Sequence, residues 1–209
     1  MEKQIKLLIF DYDDTIIERD QKKMLMETFS NLDNSKEISE YILKKFEYIK
    51  NIKEIIKKTF EYFNIEKKED EIKNYAKNYV HQYENGKIKE KIKHILSELS
   101  KKYILVILSN GNKEIKIREL KNNNCLDLFK EVFTHEDTNY QKPDPRAFDF
   151  ILKKYNLKSQ EAVSIGNSLS MDILPAKQIG IKTIWLYNTK PDKILSHLEE
   201  LDDSIISKL

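Results

Sequence analysis

The feature that most limits the fold of this chain is an alternation. Five short apolar runs, IKLLIF (5–10), YILVILS (103–109), EVFT (131–134), AVSIG (162–166) and TIWLY (183–187), are rich in Ile, Val and Leu and show little in–out periodicity. Runs of that kind suit parallel strands covered on both faces. Helical patterns separate the later ones: NKEIKIRELKNNN follows the second run, DPRAFDFILKKYNL the third and SMDILPAKQIG the fourth. Strand alternating with helix requires right-handed crossovers and predicts an α/β fold, a Rossmann-like parallel sheet with helices on both faces. Gly180 stands where a helix C-terminus takes a left-handed residue before the last strand.

The stretch between the first two strands breaks that rhythm. From residue 17 to about 86 there is no strand pattern, and segments such as IKEIIKKTFEYF (52–63) and IKNYAKNYVHQYENG (72–86) repeat with a helical period. That is too much helix for one crossover. Residues 17–87 are therefore expected to form an inserted helical domain, with residues 1–16 and 88–209 as the α/β domain. Asn85-Gly86 marks the end of the insertion, and IKEKIKHILSELSKKY (88–103) returns the chain to the sheet. Tyr75, Tyr79 and Tyr83 share one helix face and are expected to pack against a core. Glu18, Arg19 and Asp20 read as a solvated entry to the insertion. The tail DKILSHLEELDDSIISKL reads as helical.

Composition excludes several classes. Lys and Arg number 37 against 35 Asp and Glu, a formal charge of +2, which gives no footing for a nucleic-acid partner. The longest apolar runs are too short to span a bilayer, and the N-terminus lacks the pattern of a signal peptide. One cysteine, Cys125, rules out an internal disulfide and fits a reducing compartment, so a cytoplasmic protein is expected. His81, His94, His135 and His197 match no metal-ligand spacing.

In an open α/β sheet, ligands bind beyond the carboxyl ends of the strands. The first run ends in Asp11 and Asp13, the second in Ser109, Asn110 and Gly111, and the fourth in Gly166, Asn167 and Ser168, with Asp172 a turn later. Lys142 follows the third, within QKPDP. Together these describe a pocket for an anion and a divalent metal. Asp11 and Asp13 are two apart in an extended segment and point to the same side, so one carboxylate can attack an electrophile while the other moves a proton. Asp11 and Asp172, with the Asp13 carbonyl, are hard oxygens suited to Mg²⁺. Thr15 and Ser109 offer hydroxyls, and Lys142 a point charge, to phosphate oxygens. Taken singly, Lys142 is one surface lysine among many, Ser109 a helix cap and Asp172 a charge complementing a helix dipole.

In order, DYDDT, ILSNG, QKPDP and IGNSLSMDI resemble the four signature motifs of the haloacid dehalogenase-like (HAD) hydrolase superfamily. The resemblance covers roughly residues 5–16 and 88–190. A helical insertion just after the first motif resembles the C1 cap of the type I, phosphoglycolate-phosphatase-like members, a lid that restricts such enzymes to small substrates. The resemblance implies that Asp11 is the nucleophile and Asp13 the acid/base. It implies that Ser109 and Lys142 hold the phosphoryl oxygens, with Lys142 also orienting Asp11. Backbone amides around Tyr12 and Asn110 would add donors, and Asp172 with the loop at Asn167 would complete the Mg²⁺ site.

Two residues depart from the family pattern. Asp14 replaces the commoner glycine, which Asp tolerates because it accepts left-handed geometry. Asn167 replaces an aspartate and removes one charge from the metal site. The activity implied is Mg²⁺-dependent hydrolysis of a small phosphorylated metabolite through an aspartyl-phosphate, by a monomer or weak homodimer with no nucleic-acid or membrane partner. The alternatives are a sugar phosphomutase and a noncatalytic phosphate-binding protein. A 2-haloacid dehalogenase or phosphonate hydrolase is disfavoured because Asp13 is present.

Overall fold

A computed structural model of the protein describes residues 4–45 and 51–186. The expected helical tail lies outside these residues. The chain divides into two compact units, one formed by the chain up to Glu18 and from Lys87 onward, the other by Arg19–Gly86.

The first unit contains a five-stranded parallel sheet: β1 (Leu7–Phe10), β2 (Ile104–Leu108), β3 (Glu131–Phe133), β4 (Ala162–Gly166) and β5 (Lys182–Trp185). Their order is β3-β2-β1-β4-β5, every adjacent pair parallel. All four residues of β1 are buried, as expected of a strand with neighbours on both edges and helices on both faces. Leu8 and Phe10 face one layer with Ile92, Leu96, Ile107, Leu120 and Ile165. Leu7 and Ile9 face the other with Val106, Phe133, Phe148, Ile151 and Ala176. That split is the two-residue period of a strand acting on an all-apolar sequence.

Chain order runs outward from β1 to β3 on one side, and β4 and β5 occupy the other. The crevice between β1 and β4 is thus a topological switch point, where this architecture gathers ligands. Gly180 closes the turn into β5 at φ +81°, a conformation that glycine adopts without a side-chain clash.

The second unit contains α1 (Gln21–Thr28), α2 (Ser35–Lys45), α3 (Ile52–Tyr62) and α4 (Glu69–Glu84). Leu25, Phe29, Ile38, Ile42, Ile56, Phe60, Tyr75 and Tyr79 form its core. Tyr75 packs edge-on to Phe60, and its hydroxyl exchanges hydrogen bonds with the Asn31 side-chain amide. Two of the three tyrosines of the stripe are therefore core residues. Tyr83 is half-buried under the Arg19 guanidinium, 4.0 Å above its ring. Arg19 itself is buried rather than solvated. No helix among the described residues is long and apolar enough to cross a membrane.

Candidate active site

Asp11 continues the β1–β4 ladder by one bond, its amide donating to Ile165 O at 2.9 Å. The chain then turns sharply. The amides of Ile16 and Ile17 both donate to Tyr12 O, and Asp14 N donates to Ile17 O at 2.7 Å. Asp14 takes φ +55° in that turn, the left-handed geometry expected of it. The turn buries Tyr12, Thr15, Ile16 and Ile17 and leaves Asp11 and Asp13 part-exposed at the strand end. The Thr15 hydroxyl is buried and has no hydrogen-bond partner among the described residues. A buried hydroxyl in that state is uncommon and suits an oxygen ligand.

Lys142 lies at the centre of the arrangement. Its ammonium donates to Asp11 Oδ1 and Asp172 Oδ1, each at 2.6 Å, with only 4% of the lysine side chain and 2% of the Asp172 side chain exposed. Burial alone would lower the Lys142 pKa, but the two carboxylates outweigh it and raise it. Burial pushes the Asp11 carboxyl up to about 6; Lys142 opposes that shift, and Asp172 and Asp13 add to it. The Asp11 Oδ2 makes no hydrogen bond among the described residues.

Three loops hold this group. The Asn110 side chain forms two bonds with the Lys142 backbone, accepting from its amide at 2.9 Å and donating to its carbonyl at 2.7 Å. Asp172 lies over Gly166, where a Cβ would stand 2.4 Å from Asp172 Oδ2. That oxygen also accepts from Ser168 N at 2.9 Å. A π-type turn over Leu169–Ile173, before the short helix Leu174–Gln178, places Asp172 inward. The Trp185 indole donates to Asn167 O at 3.0 Å and ties that loop to β5, while Asn167 is exposed. Ser109 is buried at the end of β2, and its hydroxyl accepts from Gly111 N at 3.2 Å.

The structure thus brings Asp11, Asp172 and Lys142 into direct contact, with Ser109, Asn110, Thr15 and Asn167 on the turns that follow the same strand ends. The Asn110 side chain is occupied with Lys142 rather than open to a ligand. One residue that the motifs do not single out also enters the group: Lys116, on the helix Lys113–Asn122, whose ammonium meets both Asp13 oxygens at 2.8 and 2.7 Å.

The donor chemistry suits Mg²⁺. This ion takes one or two carboxylates, completes its shell with waters and substrate oxygens, and prefers hard donors. Asp11, Asp172, the Asp13 carbonyl and the Asn167 amide are all of that kind. Among the described residues no cage of three His, Cys, Asp or Glu side chains exists, and Lys142 stands between Asp11 and Asp172. A sparse, partly hydrated site fits these residues better than a closed one.

The family model of the haloacid dehalogenase-like hydrolases matches residues 8–186, so the chain belongs to that family. A glyceraldehyde 3-phosphate phosphatase from Pyrococcus furiosus is 30% identical over 107 residues, covering 51% of this chain and 45% of that protein. The chain therefore matches less than half the length of that relative. The Bacillus subtilis protein YfnB bound to magnesium has the same fold, with a TM-score of 0.68 at 22% identity over 92% of both chains. So does an L-2-haloacid dehalogenase from Xanthobacter autotrophicus with chloropropionic acid covalently bound, with a TM-score of 0.66 at 16% identity over 90% of this chain and 79% of that one.

Proposed function

We propose that the protein is a Mg²⁺-dependent phosphatase that hydrolyses a small phosphorylated metabolite through an aspartyl-phosphate. The observation that carries this reading is the ammonium of Lys142 shared between Asp11 and Asp172 at the switch point. A cation held there steadies the nucleophile and meets phosphoryl oxygens. Asp11 attacks phosphorus, a P–O bond forms, and the bond to the leaving oxygen breaks as Asp13 gives that oxygen a proton. Asp13 then takes a proton from a water, which attacks the acyl phosphate, releases phosphate and restores the Asp11 carboxylate.

The hydroxyls of Thr15 and Ser109, the backbone amide of Asn110 and Lys142 bind the phosphoryl oxygens. Asp11, Asp172, the Asp13 carbonyl and Asn167 hold Mg²⁺, which when bound supplies positive charge beside those oxygens. The phosphatase name of the Pyrococcus furiosus relative and the magnesium bound to YfnB support the reading. Asp13 favours it over dehalogenation, which needs no acid for its leaving group. The same reading takes residues 17–87 as the cap domain and residues 1–16 and 88–209 as the core domain, and assigns the protein to the cytoplasm, where the buried free thiol of Cys125 stays reduced.

The test is phosphate release from p-nitrophenyl phosphate with and without Mg²⁺. Metal-dependent release that Asp11→Asn abolishes is expected. Release unchanged by that substitution, or none from the wild type at any Mg²⁺ concentration, contradicts the reading.

A further inference from the structure

We infer that Lys116 is a positioning residue for proton transfer, fixing the carboxylate of Asp13 so that it faces the leaving oxygen. The inference rests on the phosphatase reading and adds to it a residue outside the four motifs. Four observations carry it. The ammonium lies 2.8 and 2.7 Å from the two oxygens of Asp13, a two-point contact that fixes both the place and the rotation of the carboxylate. The lysine is 1% exposed, whereas the Asp13 side chain is 30% exposed, so the anchor is buried and the anchored group faces outward. The ammonium also lies 4.6 Å from the centre of the buried Tyr12 ring, which borders Asp13 in sequence and adds a cation–π contact. Finally, Gly111 leaves room for this side chain: a Cβ there would stand 2.9 Å from Lys116 Cε and 3.3 Å from its Nζ.

These contacts give Asp11 and Asp13 of the first motif a cation each. Lys142 holds Asp11 and Lys116 holds Asp13. A carboxylate on the turn after β1 has free rotation about two side-chain bonds. Proton transfer needs an oxygen within hydrogen-bond reach of the leaving group. A buried ammonium removes that freedom before substrate arrives, which is the use of preorganisation. Lys116 itself exchanges no proton with substrate in this account.

The separating experiment is a leaving-group series. p-Nitrophenolate departs with little help from an acid, whereas phenolate requires a proton. Wild type, Lys116→Met, Lys116→Arg and Gly111→Ala are compared on p-nitrophenyl phosphate and phenyl phosphate at saturating Mg²⁺, with melting curves alongside. Lys116→Met is expected to lose at least about tenfold more kcat/KM on phenyl phosphate than on p-nitrophenyl phosphate: kcat/KM reports the steps up to departure of the leaving group, where a positioned acid contributes ~10²–10⁴-fold, whereas kcat also contains the hydrolysis step common to both substrates. Lys116→Arg is expected to recover part of the loss. Gly111→Ala displaces the flexible end of Lys116 without removing its charge and is expected to show the same selective loss, which keeps the test decisive if Lys116→Met does not fold. Equal losses of kcat/KM on the two substrates, or no loss, overturn the inference while leaving the phosphatase reading intact. A wild type inactive on both substrates overturns both.

Discussion

Asn110 and Lys142, 32 positions apart in sequence, are joined by a reciprocal pair of hydrogen bonds: the Asn110 amide donates to Lys142 O at 2.7 Å, and its oxygen accepts from Lys142 N at 2.9 Å. The loop after β2 thereby fixes the backbone of the lysine that bridges Asp11 and Asp172. Asn110→Ala removes both bonds without touching the ammonium. A misplacement of about 1 Å at a reacting group can cost on the order of 10²-fold, so kcat is expected to fall by about that factor with KM little changed. Steady-state kinetics on p-nitrophenyl phosphate checks this, and an unchanged kcat would sink it.

Gly166 governs the other end of the same bridge. A Cβ at this position would stand 2.4 Å from Asp172 Oδ2 and 2.5 Å from its Cγ, and the buried aspartate has no solvent into which to move. Gly166→Ala is expected to push Asp172 off Lys142, lowering kcat by about 10²-fold. Because Asp172 is also a proposed Mg²⁺ ligand, the concentration of Mg²⁺ for half-maximal activity should rise as well. A Mg²⁺ titration of activity measures both effects, and wild-type values would contradict the placement of Asp172.

Asp137 stabilises the segment that leads from β3 toward Lys142. Its carboxylate accepts from the amide and hydroxyl of Thr134 at 2.9 and 3.3 Å and pairs with the Lys113 ammonium. Burial pushes the Asp137 carboxyl up, but Lys113 and Thr134 outweigh it and hold it below its ordinary value. A depressed carboxyl contributes stability above its unfolded-state pKa, and this contribution disappears as pH falls through the folded-state value. Asp137→Asn should therefore cost about 1 kcal/mol at pH 7, typical of a capping interaction. The difference should vanish below the ordinary carboxylate range. Urea unfolding of both proteins at neutral and acidic pH tests the sign; a difference that grows on acidification contradicts it.

Asn167 leaves the proposed metal site one negative charge short. Asn167→Asp is expected to lower the Mg²⁺ concentration for half-maximal activity by about tenfold, the scale on which altered metal surroundings act. Activity measured against Mg²⁺ concentration decides it, and no shift would remove Asn167 from the site.

Much of this was legible in the sequence because the residues concerned obey local rules. The β4 run 162–166 coincides with the observed strand, and the other four strands fall within a residue or two of their apolar runs, since parallel buried strands need unbroken apolar sequence. Asp11 and Asp172 converge because they follow β1 and β4 at the switch point, and Lys142 reaches them from the segment after β3. Lys116 was hidden for the opposite reason. Its sequence neighbourhood is an ordinary charged helix, and in a chain with 37 Lys and Arg one more lysine carries little signal. The available clue was phase: Lys116 is four residues before the buried Leu120, so the helix turns it inward with the core rather than outward with the other charges. Its partner is 103 positions away, and no local pattern encodes that contact. Arg19 is a similar case, read as a linker charge yet buried against Tyr83.

The central claim is that phosphoryl transfer passes through Asp11, and a trapped intermediate tests it most directly. Asp13→Asn cannot activate water, but p-nitrophenolate leaves without its proton. Mixed with p-nitrophenyl phosphate and Mg²⁺ and quenched in acid, this variant should release about one p-nitrophenolate per protein before stalling. Peptide mass mapping should then find one phosphoryl group on the peptide carrying Asp11. A burst with the phosphoryl group elsewhere, or steady turnover with no phosphoprotein at all, would contradict the account.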